Sequence, residues 1–292
     1  MLLILGMGLW GLSWTNGRVL GRYEVPAAVL MFWRFTIAAI AMVPVVLTRK
    51  HTFALRGKTW LAVAAGGGFL ALYNYFYFTG TRLGLAGAGG VLVTTLNPVV
   101  TFLLVLLWTR KRAGRIDLIG IILGVIGGLI ILKIWQQDWQ AMTQSGNLYF
   151  LGCAVSWAFL TLVTSAMQRQ LSTLQFSFWV YLIAAVISLF FIPAGGHFKV
   201  FRQDAVFWWN LISISLGAMA FATTIYFLAA MELGSQRAAA FIFTVPLSAL
   251  LFSMILLGEP FDPFVVGGGS LSIIAVYLLN HSSDRKKGVP AS

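Results

Sequence analysis

One basic side chain, Arg34, falls deep inside an apolar stretch, and a charge placed there must find a partner or water. Facing a cavity, its guanidinium would grip a substrate carboxylate; facing helix backbones, it would be structural. Further along, Gly90, Thr94, Asn97 and Thr101 recur at i, i+4, i+7 and i+11, which sets them on one side of a helix. Pro98 removes a backbone donor from that helix and frees a carbonyl in the preceding turn. A face of this kind offers hydrogen bonds to the polar end of a small molecule, or else packs against another helix.

Aromatic residues supply matching apolar walls. Trp10 and Trp14 lie one turn apart, as do Tyr73 and Tyr77 beside Asn74, while Trp157, Tyr181 and Tyr226 fall inside later apolar stretches. With Arg34, Thr94 and Asn97 these form the expected substrate-binding set, the rings holding a side chain and the polar tips setting its orientation. Trp60, Trp108, Trp135, Trp139, Trp208 and Trp209 sit near stretch ends and read as an interfacial belt.

The chemistry that is missing narrows the field. All the acids (Glu24, Asp117, Asp138, Asp204, Glu232, Glu259, Asp262 and Asp284) lie at stretch ends or in loops. Built-in proton antiport usually needs a carboxylate within the membrane and is not expected. His51, His197 and His281 are far apart and form no metal cluster, and no P-loop or Ser/His/Asp arrangement occurs. No cofactor and no enzyme activity follow from these residues. A lipid-modifying membrane enzyme would need an acidic or histidine cluster at one membrane face; a channel or accessory subunit is the other competing class.

These side chains are set in an unusually apolar chain. Of 292 residues, 59% are hydrophobic and 10% charged, with 30 glycines and 11 tryptophans; soluble proteins hold roughly 45–50% and 25%. The net charge of +12 is gathered in short runs, such as Arg110-Lys111-Arg112 and Arg285-Lys286-Lys287, between apolar stretches. That pattern marks cytoplasmic loops and offers no continuous basic face to nucleic acid. Cys153, the only cysteine, has no partner for an internal disulfide.

Ten membrane spans are expected near 2–20, 26–48, 59–79, 84–108, 116–134, 147–168, 173–193, 207–230, 237–257 and 263–280. The amino-terminal stretch has no basic lead or small-residue cleavage site and reads as a retained first span. With the N-terminus inside, 13 Lys/Arg fall on cytoplasmic segments and 6 outside, which predicts both termini cytoplasmic. Five spans echo the other five. Ser13-Trp14 matches Ser156-Trp157, Phe32-Trp33 matches Phe178-Trp179, and Leu83-Gly84 matches Leu233-Gly234. Asn97-Pro98 matches Val245-Pro246, and Gly120 matches Gly267. An odd number of spans per repeat inverts one half relative to the other, the usual frame of alternating access with a midplane site. Gly84, Pro98, Gly234 and Pro246 are then expected at hinges, while Gly120, Gly124 and Gly128 predict close packing or a dimer contact.

These residues resemble the drug/metabolite transporter superfamily, in its ten-helix EamA-type branch of bacterial inner-membrane exporters. The likeness rests on Leu9-Trp10-Gly11, Trp33-Arg34-Phe35, the run Ala230–Ser235 and Leu257-Gly258-Glu259-Pro260. One departure is that Arg110-Lys111 stands where a second Gly-Glu pair would close the first repeat. The resemblance implies an all-α integral membrane protein of two inverted five-helix repeats, residues 1–140 and 141–292. It further implies efflux of small metabolites, amino acids among them, with other relatives handling sugars or drugs. The expected partners are a small-molecule substrate and the lipid bilayer, in a monomer or homodimer.

Overall fold

Without water, backbone N–H and C=O groups must bond within their own segment, so long apolar runs become helices. The computed structural model describes residues 2–49, 53–55, 57, 59–109, 114–136, 146–167, 170–192, 196–242 and 245–286, and is all-helical there. The helices are α1 (Leu2–Leu20), α2 (Ala27–Thr48), α3 (Thr59–Leu83), α4 (Ala86–Thr109) and α5 (Arg115–Leu132). There follow α6 (Asn147–Ala166), α7 (Thr173–Leu189), α8 (Ala205–Leu233), α9 (Ser235–Phe241), α10 (Val245–Leu257) and α11 (Pro263–Lys286).

Among the described residues, α2, α3, α4, α5 with the turn after it, α6 and α8 are long and apolar enough to cross a membrane. Three more apolar segments, Thr173–Leu189, Val245–Leu257 and Pro263–Leu279, are shorter. Most helix bounds fall within a few residues of the expected ones, but α11 runs on to Lys286, past the expected end at 280. The stretch expected over 237–257 is described as α9 and α10, on either side of residues 243–244, which lie outside the described residues; α4 runs unbroken through Pro98. Pro246 is the second described residue of α10. The glycine pair also diverges. Gly234 breaks the chain at φ 84°, a conformation that favours glycine, while Gly84 lies at negative φ.

Packing follows a simple exchange. α1 lies against α8 and α10, just as α6 lies against α3 and α4. α2 meets α8 as α7 meets α3, while α2–α7, α4–α10 and α5–α11 pair each helix with its own counterpart. The α5–α11 contact is backbone to backbone. A methyl on Gly127 would strike the Ser272 side chain and stand 2.6 Å from the Gly268 carbonyl oxygen. Gly120 meets Leu279, Gly124 meets Val99, and Gly128 meets Leu96, so this glycine ladder packs inside one chain. The outer side of α5 leaves Leu118, Ile119, Ile122 and Ile126 exposed, as lipid permits.

Aromatic clasps built from the repeated Phe-Trp pair tie the halves at opposite ends of the antiparallel α2–α7 pair. Trp33 on α2 packs on Phe201 at a centroid distance of 5.2 Å. Trp179 on α7 donates its indole N–H to the Phe53 carbonyl at 2.9 Å, and Phe53 packs on Phe178 at 4.7 Å. Trp208, expected in the interfacial belt, is instead partly buried beside Trp33 and Phe201. Trp60, Trp108, Trp135 and Trp209 are exposed, and Trp139 lies outside the described residues.

The end bearing the Trp33 clasp has polar links as well. The Glu259 carboxylate accepts the Ala86 and Gly87 N–H groups at 2.8 and 2.9 Å, capping α4 from the opposite half. Lys133 pairs with Asp262 at 2.7 Å, and the Tyr23 hydroxyl donates to Asp204 at 2.7 Å. Asp204 also accepts the Phe207 N–H at 2.8 Å and so begins α8. These two bonds, the backbone one first, hold its carboxyl below its ordinary value.

Candidate functional site

Segments from both halves converge on a cavity of about 30 Å³ inside the bundle, room for a water molecule or two in this conformation. Its walls are Trp10, Ser13 and Trp14 of α1, Arg34 of α2, Tyr73 of α3, and Val93, Thr94 and Asn97 of α4. From the other half come Trp157 of α6, Met219 and Thr223 of α8, and Ile242 just past α9. Among the described residues no carboxylate reaches it.

Arg34 is 3% exposed and makes no ion pair with any described residue. Its Nη1 donates to Asn74 Oδ1 at 2.7 Å, and Asn74 Nδ2 donates in turn to the Leu70 carbonyl at 2.9 Å. The guanidinium lies 5.1 Å from the Tyr77 ring centroid and 5.8 Å from that of Phe78, a cation–π seat. Its Nε is buried with no acceptor. A fixed cation with a spare donor at a cavity wall is suited to an anion.

The opposite wall owes its shape to an irregularity. Within α8, residues Ser213–Thr223 form a π-helical segment, which shifts the carbonyl register by one residue. The Trp10 indole N–H donates to the Ala218 carbonyl at 3.0 Å, and the Tyr181 hydroxyl to the Met219 carbonyl at 2.9 Å. Thr223 donates to Ala218 as well, at 2.9 Å. Donors from α1 and α7 thus hold the π segment in place. Trp10, Trp157, Tyr73 and Tyr226 then stack as a cluster with centroid distances of 4.8 to 5.5 Å.

Seven of the eleven expected binding residues line the cavity: Trp10, Trp14, Arg34, Tyr73, Thr94, Asn97 and Trp157. The other four stand one layer behind it. Asn74 holds Arg34, and Tyr77 donates to the Ser13 carbonyl while packing under Trp14. Tyr181 grips α8, and the Tyr226 hydroxyl pairs with Thr161 at 2.7 Å. The three tyrosine hydroxyls are thus bonded to neighbouring groups. Ser13, Val93, Met219, Thr223 and Ile242 complete the lining without having been expected there. Thr223 was a visible polar residue in an apolar run, and Ile242 is the repeat counterpart of Thr94; Val93 and Met219 carried no such signal. The polar face on α4 is partly self-satisfied, since Thr94 donates to the Gly90 carbonyl and Asn97 to the Ala154 carbonyl at 3.2 Å.

The sequence profile of the EamA-like transporter family matches this chain twice, over residues 1–133 and 144–281. The chain belongs to that family and is a multi-pass membrane transporter. It is 27% identical to an uncharacterized transporter, YvbV, of Bacillus subtilis, over 96% of this chain and 90% of that one. A probable amino-acid metabolite efflux pump of Salmonella typhimurium is 24% identical over 95% of this chain and 93% of the pump. A solved crystal structure shares the fold with a TM-score of 0.69 at 18% identity, covering 97% of both chains.

Proposed function

We propose that this chain is a ten-span carrier of the bacterial inner membrane, with both termini cytoplasmic. In this reading it exports small carboxylate-bearing metabolites by alternating access, with neutral and aromatic amino acids the first to test. Its halves, residues 1–140 and 141–292, act as inverted repeats about the cavity, a reading supported by the exchange of packing partners between them. The observation that carries the substrate class is Arg34, a buried cation with no counter-ion among the described residues, facing a cavity walled by Trp10, Trp14, Tyr73 and Trp157. Arg34 orients the carboxylate, and the rings take an apolar or aromatic side chain. The described acids stay out of the cavity, which favours facilitated export or exchange over built-in proton antiport. The similarity to the Salmonella protein, a probable amino-acid metabolite efflux pump, agrees with that class.

The test is uptake of labelled tryptophan and other neutral amino acids into vesicles holding the purified chain, with and without internal substrate and a pH gradient. Saturable uptake, stimulated by internal substrate and indifferent to the gradient, is the expected result. Linear uptake would move the chain to the channel class. Uptake that requires a pH gradient would overturn the uncoupled mechanism.

A further inference from the structure

The polar groups around the cavity are unevenly committed. On its acceptor side, the Ala218 carbonyl takes Trp10 and Thr223, and the Met219 carbonyl takes Tyr181. The Ala154 carbonyl takes Asn97. On its donor side, Arg34 Nε is buried without an acceptor, on a side chain 3% exposed. Buried donors left open cost free energy until an acceptor arrives, so the cavity is tuned to an acceptor-rich ligand.

A zwitterion brings a second demand. Its α-ammonium must give up water, and a desolvated ammonium needs an anion or several carbonyls. Among the described residues no carboxylate lines the cavity, and the Met219 carbonyl on its wall already holds the Tyr181 hydroxyl. An ammonium facing the Trp10, Trp14, Tyr73 or Trp157 rings would stand beside the like charge of Arg34, the one charged group lining the cavity among the described residues.

We infer that this site selects net-anionic monocarboxylates bearing an apolar or aromatic side chain and no α-ammonium. These are the 2-oxo, 2-hydroxy or N-acylated counterparts of neutral amino acids, bound ahead of the amino acids themselves. The inference rests on the carboxylate-carrier reading above and narrows it. Arg34 Nε supplies the open donor, and the 2-substituent meets a wall that rewards an acceptor and penalises a cation.

Four ligands of one skeleton test this: phenylalanine, phenylpyruvate, 3-phenyllactate and phenethylamine, titrated by calorimetry into the purified full-length chain. The expected order is phenyllactate and phenylpyruvate at least about tenfold tighter than phenylalanine, with phenethylamine not binding. Arg34→Gln should abolish binding of the two acids, and Arg34→Lys, which keeps the charge, should retain part of it. Phenylalanine binding as tightly as the acids, or more so, would overturn the inference and leave the carrier reading standing. Failure of all three carboxylates would overturn both. Unchanged acid binding in Arg34→Gln would overturn the role given to the arginine.

Discussion

Asn74→Asp offers a sharp test of the cavity, because it replaces one amide nitrogen by oxygen where Arg34 sits. Asn74 Oδ1 already lies 2.7 Å from Arg34 Nη1, so the new carboxylate needs no movement to pair with the guanidinium. Unit charges ~4 Å apart at an effective dielectric of ~20 attract by about 4 kcal/mol. Desolvation of the added carboxylate takes back part of this, leaving about 2–4 kcal/mol. The variant also turns the Asn74 donation to the Leu70 carbonyl into an oxygen facing an oxygen, at a cost of about 1–3 kcal/mol. Folding stability should therefore hold or rise slightly. A substrate carboxylate must now compete with an internal one, so its apparent affinity should fall about 30- to 1000-fold. Half-saturation of carboxylate exchange in vesicles, read beside the melting temperature in detergent, checks both halves of the expectation. A variant with wild-type half-saturation and wild-type melting would show that Arg34 takes no part in binding.

Three further outcomes follow from the packing and caps. Gly127→Leu should lower stability by at least about 1–3 kcal/mol, seen as loss of monodisperse protein, because Ser272 and the Gly268 backbone leave no room. Gly68→Ala, with nothing within 4 Å of the added carbon, is its neutral control. Trp10→Phe removes one donor to the Ala218 carbonyl, which keeps its bond from Thr223, so thermal unfolding should record a loss of about 0.5–1.5 kcal/mol. Asp204 has its carboxyl held below the ordinary 3.8, so its contribution is present above that value and lost as pH falls through the lower folded one. Melting followed from pH 6 to 3 should steepen at the acid end, and Asp204→Asn should flatten that part of the curve.

Much of this site is written in the sequence because membrane burial makes polar residues conspicuous. Arg34, Thr94 and Asn97 stood out for that reason, and the structure brings all three to one cavity. The direction of an aromatic side chain is less legible. Tyr77, Tyr181 and Tyr226 share composition and depth with Tyr73, yet their hydroxyls are taken by Ser13, Met219 and Thr161. Helical spacing gives a face, not the partner across it. The π segment in α8 was hidden more deeply. Its run Ser213–Thr223 is unremarkable for an α-helix, and the register shift depends on donors from α1 and α7 that are remote in sequence. Glu259 was visible as a motif, but its work as a cap on a helix of the other half needed three dimensions.

The polar links at the Trp33 end bear on leakage. Glu259, Asp262 and Asp204 each reach from the second half to the first, so that end opens only when several bonds break together. With the proposed orientation it faces the outside of the cell. An empty carrier then stays sealed against the exterior, and the work of breaking the seal falls to the binding of cargo loaded from the cytoplasm. Such a protein would spare the cell a standing drain of metabolites while remaining ready to discharge an excess.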